Sequence, residues 1–318
     1  MEKKIITIVG VTGTQVSYWE SSPMIRGLTT SRALPLPMSS SRKEVGMSEA
    51  SPAIQASRPS QAWADKGVEL IEANINDAAT LKSAFAGSSV MFGVTDFWTV
   101  VYDPKTQALA KSTGQTETEI AYEAEKQQAR NIAEAAYATI ETLDRLVFST
   151  LSHTRKWSNG KYTHNLHFDA KWEGAEYLKA TYPALDNKTS YLQVGLYVTN
   201  WKKGLHFARP TKQLDGTFKL SLPTDGDALV PLVEPRKDTV LWGKVHGVTC
   251  RYERLDRKVL EAAVPGCVGE ELADMFEYIS EFGYDGRDPT IVYPENLGVH
   301  VPVYTMEEYI REEEWPEV

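Results

Sequence analysis

Residues 5–13 read Ile-Ile-Thr-Ile-Val-Gly-Val-Thr-Gly, an apolar and largely β-branched run that ends at two glycines three positions apart. Such a run predicts a buried parallel strand that leads into a phosphate-binding turn. Glycine is needed there because a Cβ would keep the backbone away from a pyrophosphate, while the following helix offers unpaired N–H groups to the anion. The third glycine of the usual pattern is missing, since Val16 stands where a small residue lets strand and helix pack closely. The stretch therefore predicts an altered dinucleotide site; the alternative is an ordinary strand-to-helix turn.

Length, charge and cysteine content limit the classes of protein to which the chain can belong. Its 318 residues suffice for one sizeable core and a smaller lobe. The net charge of −9 argues against direct nucleic-acid binding, and no apolar run approaches the roughly 20 residues that cross a membrane. The two cysteines, Cys250 and Cys267, suit a reducing compartment and cannot form a zinc site alone. We expect a cytoplasmic protein, with the nucleus as the alternative location. We expect it to bind neither nucleic acid directly nor a membrane.

Apolar runs alternate with helical patterns along the first half of the chain. Strands are predicted at residues 5–9, 24–29, 68–73, 89–94 and 146–150, and helices from Asp77 to Phe85 and from Thr116 to Ala138. Strands that alternate with helices form parallel sheets. The predicted fold class is therefore α/β, with a Rossmann-type doubly wound parallel sheet.

The predicted domains are a dinucleotide-binding domain over residues 1–190 and a smaller α/β lobe over 191–318 that carries the substrate or partner site. In the lobe, strands are predicted at 191–197, 218–222 and 229–233, and helices at 270–282 and 306–314. Residues 225–250 can instead rejoin the first domain. Residues 31–60 contain eight serines, four prolines and no aromatic residue, a composition that cannot bury enough apolar surface to fold as a core element. We therefore predict an irregular insertion at 31–60.

Two residue pairs could carry proton chemistry. His167 and Lys171 lie four positions apart on one face of a predicted helix, where the ammonium could hold a ribose hydroxyl and the imidazole could act as an acid or base. The alternative is a helix cap in which both side chains have only structural roles. Tyr122 and Lys126 match the Tyr-x-x-x-Lys pair of short-chain dehydrogenases, but their helix precedes the strand at 146–150 instead of following it. Because their neighbours Glu119, Glu123 and Glu125 indicate a solvated face, we assign this pair no catalytic role.

Three histidines fall within fifteen residues, at positions 153, 164 and 167. No carboxylate or cysteine stands at ligand spacing with them, and a loop is a poor template for a metal site. We therefore predict no metal ion.

Several blocks of the sequence resemble the NmrA-like family, the atypical short-chain dehydrogenases. The matching blocks are Gly10–Gln15, Phe92–Trp98, Phe148–Leu151, Tyr162–His164 with His167–Lys171, and Pro231–Thr239. Residues 276–288 and the ending 308–312 resemble filamentous-fungal members. The resemblance is interrupted over residues 16–60 and again after Thr239, where a helix and a strand are expected and the chain continues at Leu241.

The resemblance implies an NADP-preferring Rossmann domain in which a histidine, here His167, replaces the usual catalytic tyrosine and the lysine is kept. By position, Gly10, Gly13, Thr14 and Gln15 would contact the pyrophosphate, Thr95 would line the nicotinamide side and Lys171 would bond the nicotinamide ribose. The family's arginine for the 2′-phosphate is replaced by Thr30, which leaves Arg32 as the nearest candidate. We therefore expect weak NADP(H) binding with poor discrimination against NAD(H).

The resemblance also leaves two functions open. The first is an NADP-dependent oxidoreductase that acts on a small secondary metabolite with a carbonyl or imine-type group. The second is a non-catalytic, redox-sensing transcriptional regulator that binds NAD(P) and a protein partner. An apolar pocket beside Thr95 and Lys171 would favour the enzyme, whereas a filled cleft would favour the sensor.

Overall fold

The computed structural model describes residues 4–9, 41–47, 69–202, 208–228, 230, 235–301 and 304–316. Several predictions lie outside these residues: the turn with Gly10, Gly13, Thr14 and Gln15, the strand at 24–29, and Arg32. Among the described helices, none has the length and apolar character needed to cross a membrane.

The described residues form two compact units. The first comprises those up to Leu151 together with Ala170–Leu192, and the second comprises Ser152–Asp169 together with those from Gln193 onwards. The described residues within 225–250 belong to the second unit. The boundary predicted at residue 190 divides a dinucleotide-binding domain from a lobe that carries the substrate or partner site. This assignment of roles stays a prediction.

The first unit contains a six-stranded sheet. Its strands are β1 (Ile5–Val9), β2 (Ser41–Met47), β3 (Glu69–Ala73), β4 (Val90–Gly93), β5 (Arg145–Thr150) and β6 (Thr189–Gln193), in the order β3-β2-β1-β4-β5-β6. The pairs β3–β2, β2–β1, β1–β4 and β4–β5 are all parallel. This is the strand order of doubly wound dinucleotide-binding sheets, in which the order reverses between β1 and β4. The predicted α/β fold class is confirmed.

Strand β2 corrects the prediction of an irregular insertion at residues 41–47, while the rest of 31–60 lies outside the described residues. Residues 41–47 pair with β1 from Ile5↔Ser41 to Val9↔Val45, and with β3 from Lys43↔Glu69 to Met47↔Ala73. The composition argument failed here because strand pairing uses backbone groups, which every non-proline residue provides. The four prolines of 31–60 all lie outside 41–47.

The α-helices among the described residues are listed in chain order. They are α1 (Ala78–Phe85), α2 (Trp98–Tyr102), α3 (Pro104–Thr113), α4 (Glu117–Tyr137), α5 (Thr154–Trp157), α6 (Leu166–Thr181), α7 (Pro183–Asp186), α8 (Pro235–His246), α9 (Arg257–Ala263), α10 (Cys267–Phe282) and α11 (Met306–Glu312). The predicted start of α1 is confirmed, since the Asp77 side chain accepts from the N–H of Ala79. The start of α4 is fixed by a capping box between Thr116 and Glu119.

The core of the first unit lies between the sheet and the helices. Helix α4 contributes Ala129, Ile132 and Ala136, and the sheet contributes Leu146 and Phe148; all five are buried. A second cluster contains Phe92 and Val94 with Ile8, Leu70, Val147 and Leu192 packed against them. Central strands of a parallel sheet are covered on both faces, which explains the near-continuous apolar sequences of β1 and β4.

The second unit has a three-stranded sheet, β7 (Thr211–Lys212), β8 (Phe218–Leu222) and β9 (Cys250–Arg254), in that order. β7 is antiparallel to β8, and β8 is parallel to β9. Helix α8 connects β8 to β9 and runs without a break through Thr239, where the family resemblance is interrupted. The strand predicted in the lobe at 191–197 is instead β6 (Thr189–Gln193), an edge strand of the six-stranded sheet. Of the strand predicted at 229–233, only Val230 lies among the described residues.

Candidate functional site

The candidate site of the first unit lies at the carboxyl ends of β4 and β5. Ligands of open α/β sheets bind outside these ends, next to the point where the strand order reverses. Thr95 follows β4 by two residues, and Thr150 ends β5. The Thr150 hydroxyl donates to the backbone carbonyl of Lys171 at 3.1 Å. This hydrogen bond ties helix α6, at the level of Lys171, to the end of the sheet.

The Lys171 ammonium is held by three acceptors from two residues. Its Nζ lies 2.5 Å from Oε1 of Glu125, 2.9 Å from Oγ1 of Thr95 and 3.1 Å from the Thr95 carbonyl oxygen. The Thr95 hydroxyl in turn donates to Glu125 Oε1 at 2.7 Å. An ammonium has three N–H donors. All three donors of Lys171 are therefore matched by protein acceptors, and we call Thr95, Glu125 and Lys171 the lysine cluster.

The lysine cluster is almost closed to solvent. The side chain of Glu125 is 0% exposed and that of Lys171 is 14% exposed. Among the described residues, none hydrogen-bonds the second carboxylate oxygen of Glu125. A buried carboxylate is tolerated only when it is paired and hydrogen-bonded. Lys171 and Thr95 provide that pairing.

Close packing of α4 against α6 brings the two charges together. A Cβ built on Gly174 would lie 2.5 Å from the Cβ of Ala129, which is closer than real carbon atoms approach. Ala129 lies one turn after Glu125 on α4, and Gly174 lies one turn after Lys171 on α6. The absence of a side chain at Gly174 therefore lets the helices approach closely enough for Glu125 to reach Lys171.

The structure corrects our interpretation of α4 as a solvated face around Tyr122 and Lys126. Glu125 is fully buried, and the Lys126 side chain is only 14% exposed. The Tyr122 hydroxyl donates to Glu173 of α6, and Lys126 lies 3.5 Å from the same carboxylate. Both residues therefore contact α6. That they have no catalytic role stays a prediction.

Glu125 is the residue of the lysine cluster that the sequence analysis missed. It begins a buried polar row on α4 with Gln128 and Asn131, spaced three residues apart. Gln128 Oε1 accepts from the N–H of Asp96 at 2.9 Å, and Asn131 Nδ2 donates to the carbonyl of Ile75 at 2.9 Å. The row holds the loops that follow β3 and β4. Its three-residue spacing, next to the apolar face of the same helix, is the sequence signal that could have revealed it.

His167 is described within the second unit, where it is bonded to helix α10. Its ring Nδ1 lies 2.6 Å from Oε1 of Glu271, and its backbone N–H donates to the same oxygen at 2.9 Å. Glu271 is 0% exposed. Because a carboxylate oxygen accepts, Nδ1 carries the proton of the neutral ring. A carboxylate that fixes the tautomer of a histidine in this way is typical of histidines that transfer protons through Nε2.

A second carboxylate of α10 secures the segment that leads into α6. Oδ2 of Asp274 accepts from the N–H groups of Thr163 and His164, at 2.9 and 2.8 Å. Its other oxygen accepts from Arg257 at 2.8 Å. Burial opposes the charge of this guanidinium, but its hydrogen bonds to three carboxylates raise the pKa of Arg257 above its ordinary value. The negative charge of Asp274, bonded just before α6 begins, also complements the dipole of that helix.

The predicted site residues thus have different outcomes. Thr95 and Lys171 are in contact, as parts of one cluster, whereas His167 is bonded to Glu271 in the second unit. The predicted pyrophosphate residues Gly10, Gly13, Thr14 and Gln15 and the candidate Arg32 lie outside the described residues. Among the described residues, no group of three or more His, Cys, Asp or Glu side chains is arranged to hold a metal ion.

Comparison with known proteins identifies the family. The model of the NmrA-like family matches residues 2–239. The match ends at Thr239, inside α8, at the second interruption noted in the sequence. Among curated protein sequences, none matches the chain.

Solved structures with the same fold include reductases and a regulator. The NADPH-dependent quinone oxidoreductase QOR2 of Escherichia coli, in complex with NADPH, is 17% identical, with a TM-score of 0.58 and coverage of 96% of this chain and 98% of that one. A mutant form of NmrA is 15% identical, with a TM-score of 0.62 and coverage of 98% and 95%. Triphenylmethane reductase of Citrobacter sp., in complex with NADP(H), is 13% identical, with a TM-score of 0.57 and coverage of 96% and 99%. Identities this low show similarity of fold.

Proposed function

Because this chain belongs to the NmrA-like family, we propose that it is an NADP(H)-dependent oxidoreductase that reduces a carbonyl or imine-type group of a small organic molecule. The observation that carries the proposal is the lysine cluster, which presents an ammonium at the carboxyl ends of β4 and β5. That is the position where α/β sheets of this strand order bind nucleotides. The filamentous-fungal origin suggested by the sequence stays a prediction.

In this proposal the residues have separate roles. A reduced nicotinamide, when bound, supplies a hydride to the substrate. Lys171 holds a hydroxyl of the nicotinamide ribose, Thr95 lines the nicotinamide side and Glu125 positions the ammonium. His167 is the candidate donor of the proton, which it would give from Nε2 as an imidazolium while its Nδ1–H stays bonded to Glu271. Because the three Lys171 donors are already matched, a ribose hydroxyl must replace one present acceptor, and the Thr95 hydroxyl is the one that can rotate away.

Two solved structures with this fold lend support to dinucleotide binding. QOR2 carries NADPH, and another NmrA structure, described as a negative transcriptional regulator, carries NAD at 15% identity to this chain. The second of these also supports the alternative function, a regulator that binds dinucleotide without turnover. The saturated donors of Lys171 do not distinguish the two functions, because both require the dinucleotide to bind.

Titration calorimetry with NADPH and NADH tests the proposal. We expect binding of both cofactors with similar affinity. Lys171→Met, made in a Glu125→Gln background so that no uncompensated carboxylate remains, should weaken NADPH binding less than about ten-fold relative to Glu125→Gln alone, because a ribose hydroxyl only replaces an acceptor that Lys171 already has. Lys179→Met on the same helix is the matched control, because Lys179 is exposed and paired with Glu176; it should leave the affinity unchanged.

Turnover distinguishes the two functions. NADPH oxidation is followed with quinones, aldehydes and imines as substrates. Oxidation that depends on Lys171 supports the oxidoreductase, whereas cofactor binding without oxidation of NADPH by any of these classes supports the regulator. If neither cofactor binds, both functions are wrong for this chain.

A further inference from the structure

The second unit contains an apolar pocket with three tryptophan rings in its walls. The pocket lies between β8, α8 and α11 and has a volume of about 90 Å³. Trp201, Trp242 and Trp315 line it together with Leu220, Leu222 and Ile310. We call it the indole pocket. Its described lining residues all belong to the second unit and include neither Thr95 nor Lys171.

Several polar atoms in the walls of the indole pocket are bonded within the protein. The indole N–H of Trp201 donates to the Tyr309 hydroxyl at 3.0 Å, and that of Trp315 donates to the carbonyl of Ile310 at 2.9 Å. The Thr239 hydroxyl donates to the carbonyl of Pro235 at 2.6 Å. These three donors are therefore not available to hydrogen-bond a ligand. Among the described residues none accepts a hydrogen bond from the indole N–H of Trp242. An occupant is therefore held mainly by contact with apolar surface, and among the three described indoles this N–H is the one donor left for it.

The charge of the walls excludes anions. Among the described lining residues none is basic, and one, Asp238, is acidic. A phosphate or carboxylate would find no cation among the described lining residues and would therefore pay a desolvation cost. Lys202 and Arg209, whose charged groups lie 5.3 and 5.9 Å from the centroid of the Trp201 ring, are not part of that lining. The indole pocket is therefore unsuited to the phosphates of a dinucleotide.

The rings of the pocket are arranged to contact flat molecules. Trp201 and Trp315 stack at 5.3 Å between centroids with 18° between their planes. Trp242 meets Trp315 edge to face at 5.8 Å and 85°. Aromatic rings prefer offset-stacked and edge-to-face contacts, and this corner offers both to a further ring. We propose that the indole pocket binds a planar, uncharged aromatic molecule of about two fused rings, independently of the cofactor and of the proposed reaction.

Calorimetric titration of the cofactor-free chain with 2-naphthol, an uncharged two-ring probe, tests this inference. Saturable binding is expected, and naphthalene-2-sulfonate, the same ring system with an anionic group, should bind at least ten-fold more weakly. Leu220→Trp fills the pocket from β8 and should weaken 2-naphthol binding at least ten-fold. Leu214→Trp, the same change at a fully exposed position of the second unit, should leave it unchanged.

Three results would overturn the proposal: absence of saturable 2-naphthol binding, equal affinity for the sulfonate, or equal losses in the two Leu→Trp variants. A measurement on the unaltered chain keeps the test independent of whether Leu220→Trp folds. The chain has eight tryptophans, so its ¹⁵N-indole spectrum contains one N–H signal for each. 2-Naphthol should shift the signals of Trp201, Trp242 and Trp315, and shifts confined to the other five would contradict the assignment.

Discussion

The pairing of Glu125 with Lys171 is expected to dominate the stability of the α4–α6 interface, and a double-mutant cycle measures it. Lys171→Met leaves a fully buried carboxylate with the Thr95 hydroxyl as its remaining partner. Breaking a buried pair in this way costs about 3–5 kcal/mol. Glu125→Gln keeps the shape and an acceptor but removes the charge, which costs about 1.5–3 kcal/mol, the worth of a charge-assisted hydrogen bond.

The decisive comparison is between Lys171→Met and the double variant Glu125→Gln/Lys171→Met. In the double variant no buried charge remains, so it should be more stable than Lys171→Met alone, and the coupling energy should be about 2 kcal/mol or more. Urea unfolding followed by circular dichroism and by tryptophan fluorescence supplies the free energies, with coincident transitions as the test of a two-state analysis.

An exposed pair in the same unit provides the control cycle. Lys82 and Glu134 approach to 2.6 Å, but their side chains are 42% and 47% exposed. Their coupling should lie below about 0.5 kcal/mol, because solvent screens exposed pairs. A double variant at 125 and 171 that is less stable than Lys171→Met, or a coupling as small as that of the exposed pair, would refute the account of the lysine cluster.

Three further predictions follow from other contacts. Gly174→Ala should destabilise the chain by about 1–3 kcal/mol despite its better helix propensity, because its Cβ would lie 2.5 Å from that of Ala129; thermal unfolding measures the loss, and Ala129→Gly should restore stability if the helix contact is the cause. Glu271→Ala should cost about 1–3 kcal/mol in urea unfolding, because it removes the acceptor of two His167 donors, whereas Glu270→Ala, one position away and exposed, should be neutral. Burial raises the pKa of the Cys250 thiol to about 11. About one thiol in a thousand is then ionised at pH 8, so iodoacetamide should alkylate Cys250 far more slowly in the native chain than in guanidinium; equal rates would contradict this burial.

The strands of the first unit were predictable where apolar residues are continuous. β1, β4 and β5 were identified because a strand buried on both faces needs an apolar side chain at most positions. β3 lies at the edge of the sheet, and its apolar signal is limited to Leu70, Ile71 and Ala73. β2 was not identified, because its sequence, Ser-Arg-Lys-Glu-Val-Gly-Met, lacks that pattern. Its place is set by parallel pairing with β1 and β3, which a local pattern does not encode.

The candidate site was half predictable, for a similar reason. Lys171 and Thr95 carry local signals, a lysine four residues after a histidine and a threonine directly after a strand. Glu125 stands in the charged run Glu-Ala-Glu-Lys, whose composition indicates a solvated surface. Its burial depends on a partner 46 positions away and on the absence of a side chain at Gly174. Contacts between two helices decide such a position, and periodicity within one helix could only have hinted at it.

The closed state of the lysine cluster bears on how tightly this chain can bind a dinucleotide. A lysine with a spare donor gains a new hydrogen bond when a ribose hydroxyl arrives. Lys171 gains no new hydrogen bond, because a ribose hydroxyl has to displace an acceptor that Lys171 already has. The Thr95 hydroxyl is such an acceptor, and its bond to the ammonium is then lost. The exchange replaces one neutral oxygen by another at the same charge, so its net free energy is small compared with the about 1.5–3 kcal/mol of a new charge-assisted bond. The lysine cluster therefore contributes orientation more than affinity, and in this chain tight binding has to come from contacts with the phosphates and the adenosine.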